Sequence, residues 1–159
     1  AAQAAEVDGL RGKYAQLNAI SDAFGVGTGG RVATLRAQLA ELRRHRIAHR
    51  DLRLANVFLD SEGSLFLIDF GFSELAAEDL LLQTDIAELL ASSASVVGVE
   101  RALRSATRAV GPAAVADAAP RLVPSRLSGA TRTAMKAAPA LLEELRAAAG
   151  AAPADRSPE

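Results

Sequence analysis

The chain has 159 residues, half of them hydrophobic and 23% charged, with a formal net charge of −1. That is the composition of a folded globular domain, and it excludes a wholly disordered chain, a collagen-like repeat and a disulfide scaffold. The absence of Cys removes thiolate zinc sites, iron–sulfur clusters and Cys nucleophiles, leaving oxygen and histidine ligands. With 36 Ala and 22 Leu against five Phe, one Tyr and no Trp, the core has to be aliphatic and largely helical.

The small net charge hides a segregation. Residues 1–30 carry a net −1, 31–56 a net +5, 57–100 a net −9 and 101–159 a net +4, so 44 consecutive residues hold no basic side chain. Such a stretch is either a solvated acidic face or the surroundings of a cation or nucleotide–metal site beside a basic segment, and charge alone does not choose. The longest run without a charged residue, Leu89 to Val99, has eleven residues, short of the roughly 18 needed to cross a bilayer. No leader pattern opens the chain, which begins Ala-Ala-Gln and reads as an excised or processed piece.

In chain order, residues 1–30 lack periodicity and end in a Gly-rich stretch. Val32, Leu35, Leu39 and Leu42 then recur at helical spacing with Arg36, Arg43 and Arg44 on the other side, which predicts an amphipathic helix over 32–46. The polar run from Ile47 to Asn56 reads as an ordered loop. Val57–Asp60 and Leu65–Ile68 are short apolar runs joined through Ser61-Glu-Gly-Ser64, the pattern of a β-hairpin. After a break at Asp69-Phe70-Gly71, helices are predicted over 85–93, 99–110, 112–122, 125–137 and 139–149, followed by a linker-like tail over 150–159. The fold expected is mainly α with one small hairpin, in a single domain spanning 31–149.

An antiparallel hairpin brings its outer ends together, so Asn56 and Asp69, thirteen positions apart, should face one small volume. Two oxygen donors there suit Mg²⁺, which takes one or two protein oxygens together with waters and substrate phosphates. Asp51, on the loop before the first strand, is then placed to orient or deprotonate a nucleophilic hydroxyl.

His49-Arg50-Asp51-Leu52-Arg53-Leu54-Ala55-Asn56 resembles the H-R-D-L-x-x-x-N catalytic loop of the protein-kinase-like superfamily, and Asp69-Phe70-Gly71 resembles its D-F-G. The resemblance implies the large lobe of that fold. It also implies ATP and Mg²⁺ as cofactors, Asp51 as catalytic base, Asn56 and Asp69 as metal and nucleotide ligands, and Arg53 as a contact to the transferred phosphoryl group. His49, Arg50 and Gly71 resemble structural supports of the two motifs. Asp85 resembles the buried Asp that begins the long central helix and accepts hydrogen bonds from the catalytic-loop backbone, a place that also reads as an ordinary helix N-cap. Of the nine carboxylates in 57–100, only Asp69 and Asp85 acquire such roles; the other seven, including Glu74, Glu78 and Asp79, read as solvated surface.

Departures from the family's pattern matter as much. Only thirteen residues separate Gly71 from Asp85, with no A-P-E, so the platform for a peptide substrate is missing and a small-molecule or lipid hydroxyl is the expected acceptor. Only 48 residues precede His49. Lys13 does not sit in a V-A-I-K strand, and Glu6–Gly9 could at most be a hinge remnant. The small lobe is thus expected to be missing or vestigial, the piece alone inactive as a kinase, and apolar surface around Val57, Phe58 and Phe70 exposed.

The runs Arg46–Asp60 and Leu67–Leu75, with Val97–Ala102 and Leu141–Arg146, are similar to the kinase-like cytoplasmic domain of bacterial lysylphosphatidylglycerol-synthase or flippase-type membrane proteins. That likeness implies a transmembrane domain of the same parent as partner and a place at the inner face of the membrane. The implied function is a phosphotransferase; the alternative is an inactive regulatory or nucleotide-sensing module controlling the attached membrane domain.

Two motifs point elsewhere and are set aside. Gly25-Val-Gly-Thr-Gly-Gly30 fits G-x-G-x-x-G, but no strand feeds it, and it reads as a flexible turn before the helix. His45 and His49 have the i, i+4 spacing of a zinc pair without its glutamate. The arginines of 36–46 lack interleaved aromatics, so nucleic acid is not an expected partner.

Overall fold

A computed structural model describes residues 29–59, 61–62 and 65–151, with side chains from Ala37 onward except that of Leu59. The readings placed on Glu6–Gly9, Lys13, Gly25–Thr28 and the tail beyond Ala151 lie outside these residues. Helix α1 (Gly29–Arg44) leads through a loop and a 3-10 turn (Leu54–Asn56) into strands β1 (Val57–Leu59) and β2 (Leu65–Leu67). Helices α2 (Asp79–Val97), α3 (Val99–Val110), α4 (Pro112–Ala118), α5 (Gly129–Lys136) and α6 (Pro139–Gly150) follow, with 3-10 turns at Ala119–Arg121 and Pro124–Arg126. The molecule is mainly helical with one two-stranded antiparallel sheet.

The boundaries follow from local chemistry. Gly98 and Gly111 have φ of 83° and 88°, in the left-handed region that glycine enters without steric cost, and they separate α2 from α3 and α3 from α4. Pro112 then opens α4, where a missing N–H is no loss. The predicted 99–110 helix is observed with those ends.

Other boundaries are corrected. Helix α1 starts at Gly29, so the last two glycines of the Gly-rich stretch belong to its first turn, where N–H groups have no intrahelical partner to lose. It stops at Arg44 because Arg46 turns to a φ of 55° and aims its guanidinium at the Ala77 carbonyl (2.9 Å) and at Asp79 (2.7 Å). Helix α2 begins at Asp79, so Asp85 lies in its second turn and is not the N-cap; Glu78 holds that place. The Leu82, Ile86, Leu89 and Leu90 face continues the helical stripe upstream of Asp85. The predicted 112–122 and 125–137 helices are each split into a shorter helix and a 3-10 turn.

Helix α2 is the centre of the molecule. Its 19 residues and mean hydropathy of 1.3 meet the length and composition of a membrane span, yet Leu82, Ile86, Leu89 and Leu90 are buried inside the protein, while Leu80 and Val96 stay exposed. Ile86, Leu90 and Ala94 pack with Ala102 and Ala106 of α3, Val115 of α4, Met135 of α5 and Leu145 of α6. Each fully buried Leu here contributes about 1.5–3 kcal/mol. A second cluster joins Leu39 of α1, Leu52 and Leu54 of the loop, Val57 and Leu65 of the hairpin, and Leu89 of α2.

In the hairpin, Val57 pairs with Leu67, Phe58 with Phe66 and Leu59 with Leu65. The pleat sends Val57 and Leu65 into the core, correcting the expectation that Val57 is exposed, while Phe58, Phe66 and Phe70 lie 43%, 46% and 40% exposed. Strand β2 has one further device: Gln38 of α1 donates from Nε2 to the Leu65 carbonyl (2.6 Å) and accepts from the Leu67 N–H (3.1 Å). A side-chain amide thereby takes the place of a third strand.

Candidate active site

The loop between α1 and β1 is anchored from below by Asp85. Its carboxylate accepts from the backbone N–H of His49 (Oδ2, 2.6 Å) and of Arg50 (Oδ1, 2.8 Å), the contact that the resemblance implies. Burial pushes the Asp85 carboxyl above its usual range, and the two amide donors oppose that shift without cancelling it. Arg50 takes a φ of 65° to present its N–H, at a cost of about 1–2 kcal/mol for a residue with a Cβ. Its guanidinium reaches Glu74 (3.2 Å), and an isolated bridge between Ala48 and Glu74 closes the loop against the segment after Gly71.

His49 is fully buried and both of its ring nitrogens are used. A carbonyl only accepts and an amide N–H only donates. Nε2 therefore carries the proton given to the Ile68 carbonyl (2.8 Å), and Nδ1 accepts from the Asp51 N–H (3.2 Å). The ring also packs at 4.6 Å against Phe70. His49 thus ties the loop of residues 49–56 to the segment Asp69-Phe70-Gly71, and no zinc pair with the exposed His45 forms, because α1 ends at Arg44, before either histidine.

Asp51, Arg53 and Asn56 are brought together by direct contacts. Arg53 Nε donates to Asp51 Oδ1 (2.8 Å), and Asn56 Nδ2 donates to both Asp51 Oδ2 (3.0 Å) and the Asp51 carbonyl (2.8 Å). The Asp51 bond holds the Arg53 guanidinium above its usual range. The Arg53 Nη groups have no partner among the described residues. Two acceptors fix the orientation of the Asn56 amide, so its Oδ1 points away from Asp51 and is engaged by no donor among the described residues.

Asp69 stands at the other end of the hairpin, where the Ile68 N–H donates to the Asn56 carbonyl (2.9 Å). Its φ is 62°, its side chain is exposed, and no hydrogen bond ties its carboxylate to Asp51, Arg53 or Asn56. Its charge reaches Arg53 only as a minor long-range effect. Gly71 lies beside it: a Cβ at Gly71 would meet Asp69 Oδ1 at 3.4 Å, an ordinary van der Waals contact, so the space around that carboxylate does not by itself require glycine.

A Mg²⁺ ion suits this donor set, since Asn56 Oδ1 and the Asp69 carboxylate are unspent and the ion needs few protein oxygens. Among the described residues no group of three or more His, Cys, Asp or Glu forms a metal cage.

Several supports had no signal in the sequence. Ser92 of α2 accepts the Leu54 N–H (3.0 Å) and donates to the Leu89 carbonyl (3.2 Å), fixing the 3-10 turn that carries Asn56. Glu88, expected on the surface, is buried and accepts from the Ser128 N–H (2.8 Å), the Ser128 hydroxyl (2.6 Å) and the Thr131 hydroxyl. Glu74 and Asp79 remain exposed as expected but hold Arg50 and Arg46.

Comparison with known proteins bears on part of the chain. A 53-residue stretch, 33% of the chain, is 40% identical to NUAK family SNF1-like kinase 2 of Homo sapiens, and the Pongo abelii protein of that name matches equally. The chain spans about 8% of the length of these curated relatives. No family model matches, and no solved structure does. The chain therefore bears a distant, partial likeness to protein kinases within a mainly helical fold.

Proposed function

We propose that residues 31–149 are the catalytic-loop half of a kinase-like phosphotransferase, acting on a hydroxyl of a small molecule or lipid head group. The observation that carries this reading is the geometry of Asp51. Arg53 and Asn56 hold its two carboxylate oxygens at 2.8 and 3.0 Å, while Asn56 keeps Oδ1 unspent on the other side. In the transfer, the acceptor oxygen forms its bond to the γ-phosphorus of ATP as the bond to the β-phosphate oxygen of departing ADP breaks, and the hydroxyl proton passes to Asp51. Arg53, through its Nη groups, would face charge on the moving phosphoryl. Asn56 and Asp69 would hold Mg²⁺, which when bound neutralises the phosphate oxygens. The lipid acceptor, the transmembrane partner and the place at the inner membrane face are supported by the resemblance of Arg46–Asp60 and Leu67–Leu75 to membrane-protein kinase-like domains.

Single-turnover transfer from labelled ATP, in the full-length protein that carries this chain, tests the mechanism. Asp51→Asn is expected to lower the rate by about 10²–10⁴-fold with Mg–ATP affinity nearly unchanged, whereas Asp69→Asn weakens Mg–ATP binding itself. An unchanged rate in Asp51→Asn sinks the mechanism. The 159-residue chain alone is expected to bind Mg–ATP weakly and transfer nothing, which calorimetry checks. Nucleotide binding without any transfer by the wild-type full-length protein would instead make the domain a regulatory, nucleotide-sensing module.

A further inference from the structure

We propose that the cavity between α5 and α6 is a binding site for a small anionic amphiphile: one apolar chain ending in a carboxylate or phosphate. The cavity has a volume of about 300 Å³, at the lower end of the size range of small-molecule pockets. Its floor is made by Leu122, Met135 and Leu142, all buried members of the main core. Met135 gives that floor a side chain that adapts to an irregular guest.

The mouth is charged, and with one dominant sign. Arg132 and Lys136, four residues apart on α5, face Arg146 and Glu143 of α6 across the opening. Among the described residues none of the four has an ion-pair or side-chain hydrogen-bond partner. Elsewhere the exposed arginines at 44, 46, 50 and 104 each hold a carboxylate, while Arg43 and Arg126 have no ion-pair partner among the described residues. Three unspent cations and one carboxylate around an apolar floor leave two demands that neither a plain hydrocarbon nor a plain anion meets. A hydrocarbon fills the floor and leaves the cations unanswered; a small anion answers the cations and leaves the floor wet.

The polar cavity of about 280 Å³ beside Arg50, Asp85, Glu88 and Ser128 does not compete as a ligand site. Its two carboxylates are already given to N–H and O–H donors of the protein itself. The α5–α6 cavity shares no residue with Asp51, Arg53, Asn56 or Asp69, so the proposal stands apart from the phosphotransferase reading.

Decyl phosphate titrated into the full chain below its micelle concentration tests it, with the Met135 methyl resonance as reporter. Saturable one-to-one binding that shifts this resonance is expected. Decanol, of equal chain length without the charge, and the exposed double reversal Arg132→Glu with Arg146→Glu should each weaken binding about tenfold or more. The neutral pair Arg132→Gln with Arg146→Gln should give the same direction and guards against a reversal that disturbs the fold. Inorganic phosphate alone should not saturate. Equal affinity for decanol, an unaffected double variant, or no saturation by decyl phosphate would overturn the proposal. So would binding to anionic phospholipid vesicles without binding of the monomer, which would make the face a membrane contact instead.

Discussion

At Asp85, burial and hydrogen bonding pull in opposite directions on one proton. Burial raises the carboxyl above its ordinary 3.8 and the amides of His49 and Arg50 pull it down, with burial the larger effect. A raised value means that the folded chain keeps a proton which the unfolded chain has released. This contribution to stability is therefore complete below pH 3.8 and is lost as the pH rises through the folded-state value. Asp85→Asn cannot titrate, so the stability difference between wild type and variant isolates the effect. Urea unfolding at stepped pH should show the wild type losing ground to the variant in the window just above 3.8; a difference that grows in its favour there contradicts the assignment. At neutral pH the variant is itself expected to be weaker by about 1–3 kcal/mol, because an amide can offer an oxygen to only one of the two backbone donors.

At the scale of elements, α2 and α5 are joined by a polar network inside an apolar boundary. The Ser128 hydroxyl caps α5 by accepting the Thr131 N–H (3.3 Å) and donates to Glu88, which also receives the Ser128 N–H and the Thr131 hydroxyl. Ser128→Ala is expected to cost about 1–2 kcal/mol and Glu88→Ala on the order of 3 kcal/mol. Because both act in one network, the double variant should lose less than the sum, by about 0.5–3 kcal/mol. Thermal or urea midpoints of the four proteins give this coupling, and strictly additive losses would show that the network is not a unit.

The same network marks the limit of reading this sequence. Helix α3 was legible because Gly98 and Gly111-Pro112 punctuate it, and the hairpin because two apolar runs flank a turn. The loop residues Asp51 and Asn56 were legible through their motif, and they do meet. The start of α2 was not, since Glu78 offers no side-chain cap to announce it. Glu88, Gln38 and Ser92 were invisible for a different reason. Each bonds a backbone or hydroxyl group 27 to 43 positions away, and nothing near it in sequence distinguishes such a side chain from one facing water.

Over the whole molecule, the loop between α1 and β1 is an irregular segment built into the core. Leu52 and Leu54 are buried with Leu39 and Leu89, and the His49 and Arg50 amides are held by the central helix. Hydrogen exchange should therefore protect these two amides nearly as well as those in the middle of α2, although they lie outside any helix or strand. Exchange at the rate of an exposed loop would mean that the Asp85 anchor opens independently of the core.

The distance along the chain between that anchor and what it holds has a consequence for biosynthesis. Asp85 follows His49 by 36 residues. At roughly 5–20 residues per second, the ribosome delivers His49 about 2–7 s before the carboxylate that anchors it. During that interval the histidine, the left-handed arginine and the aspartate have sequence but no shape. The proposed chemistry of this segment is thus conferred late, by a helix that carries none of the reacting groups.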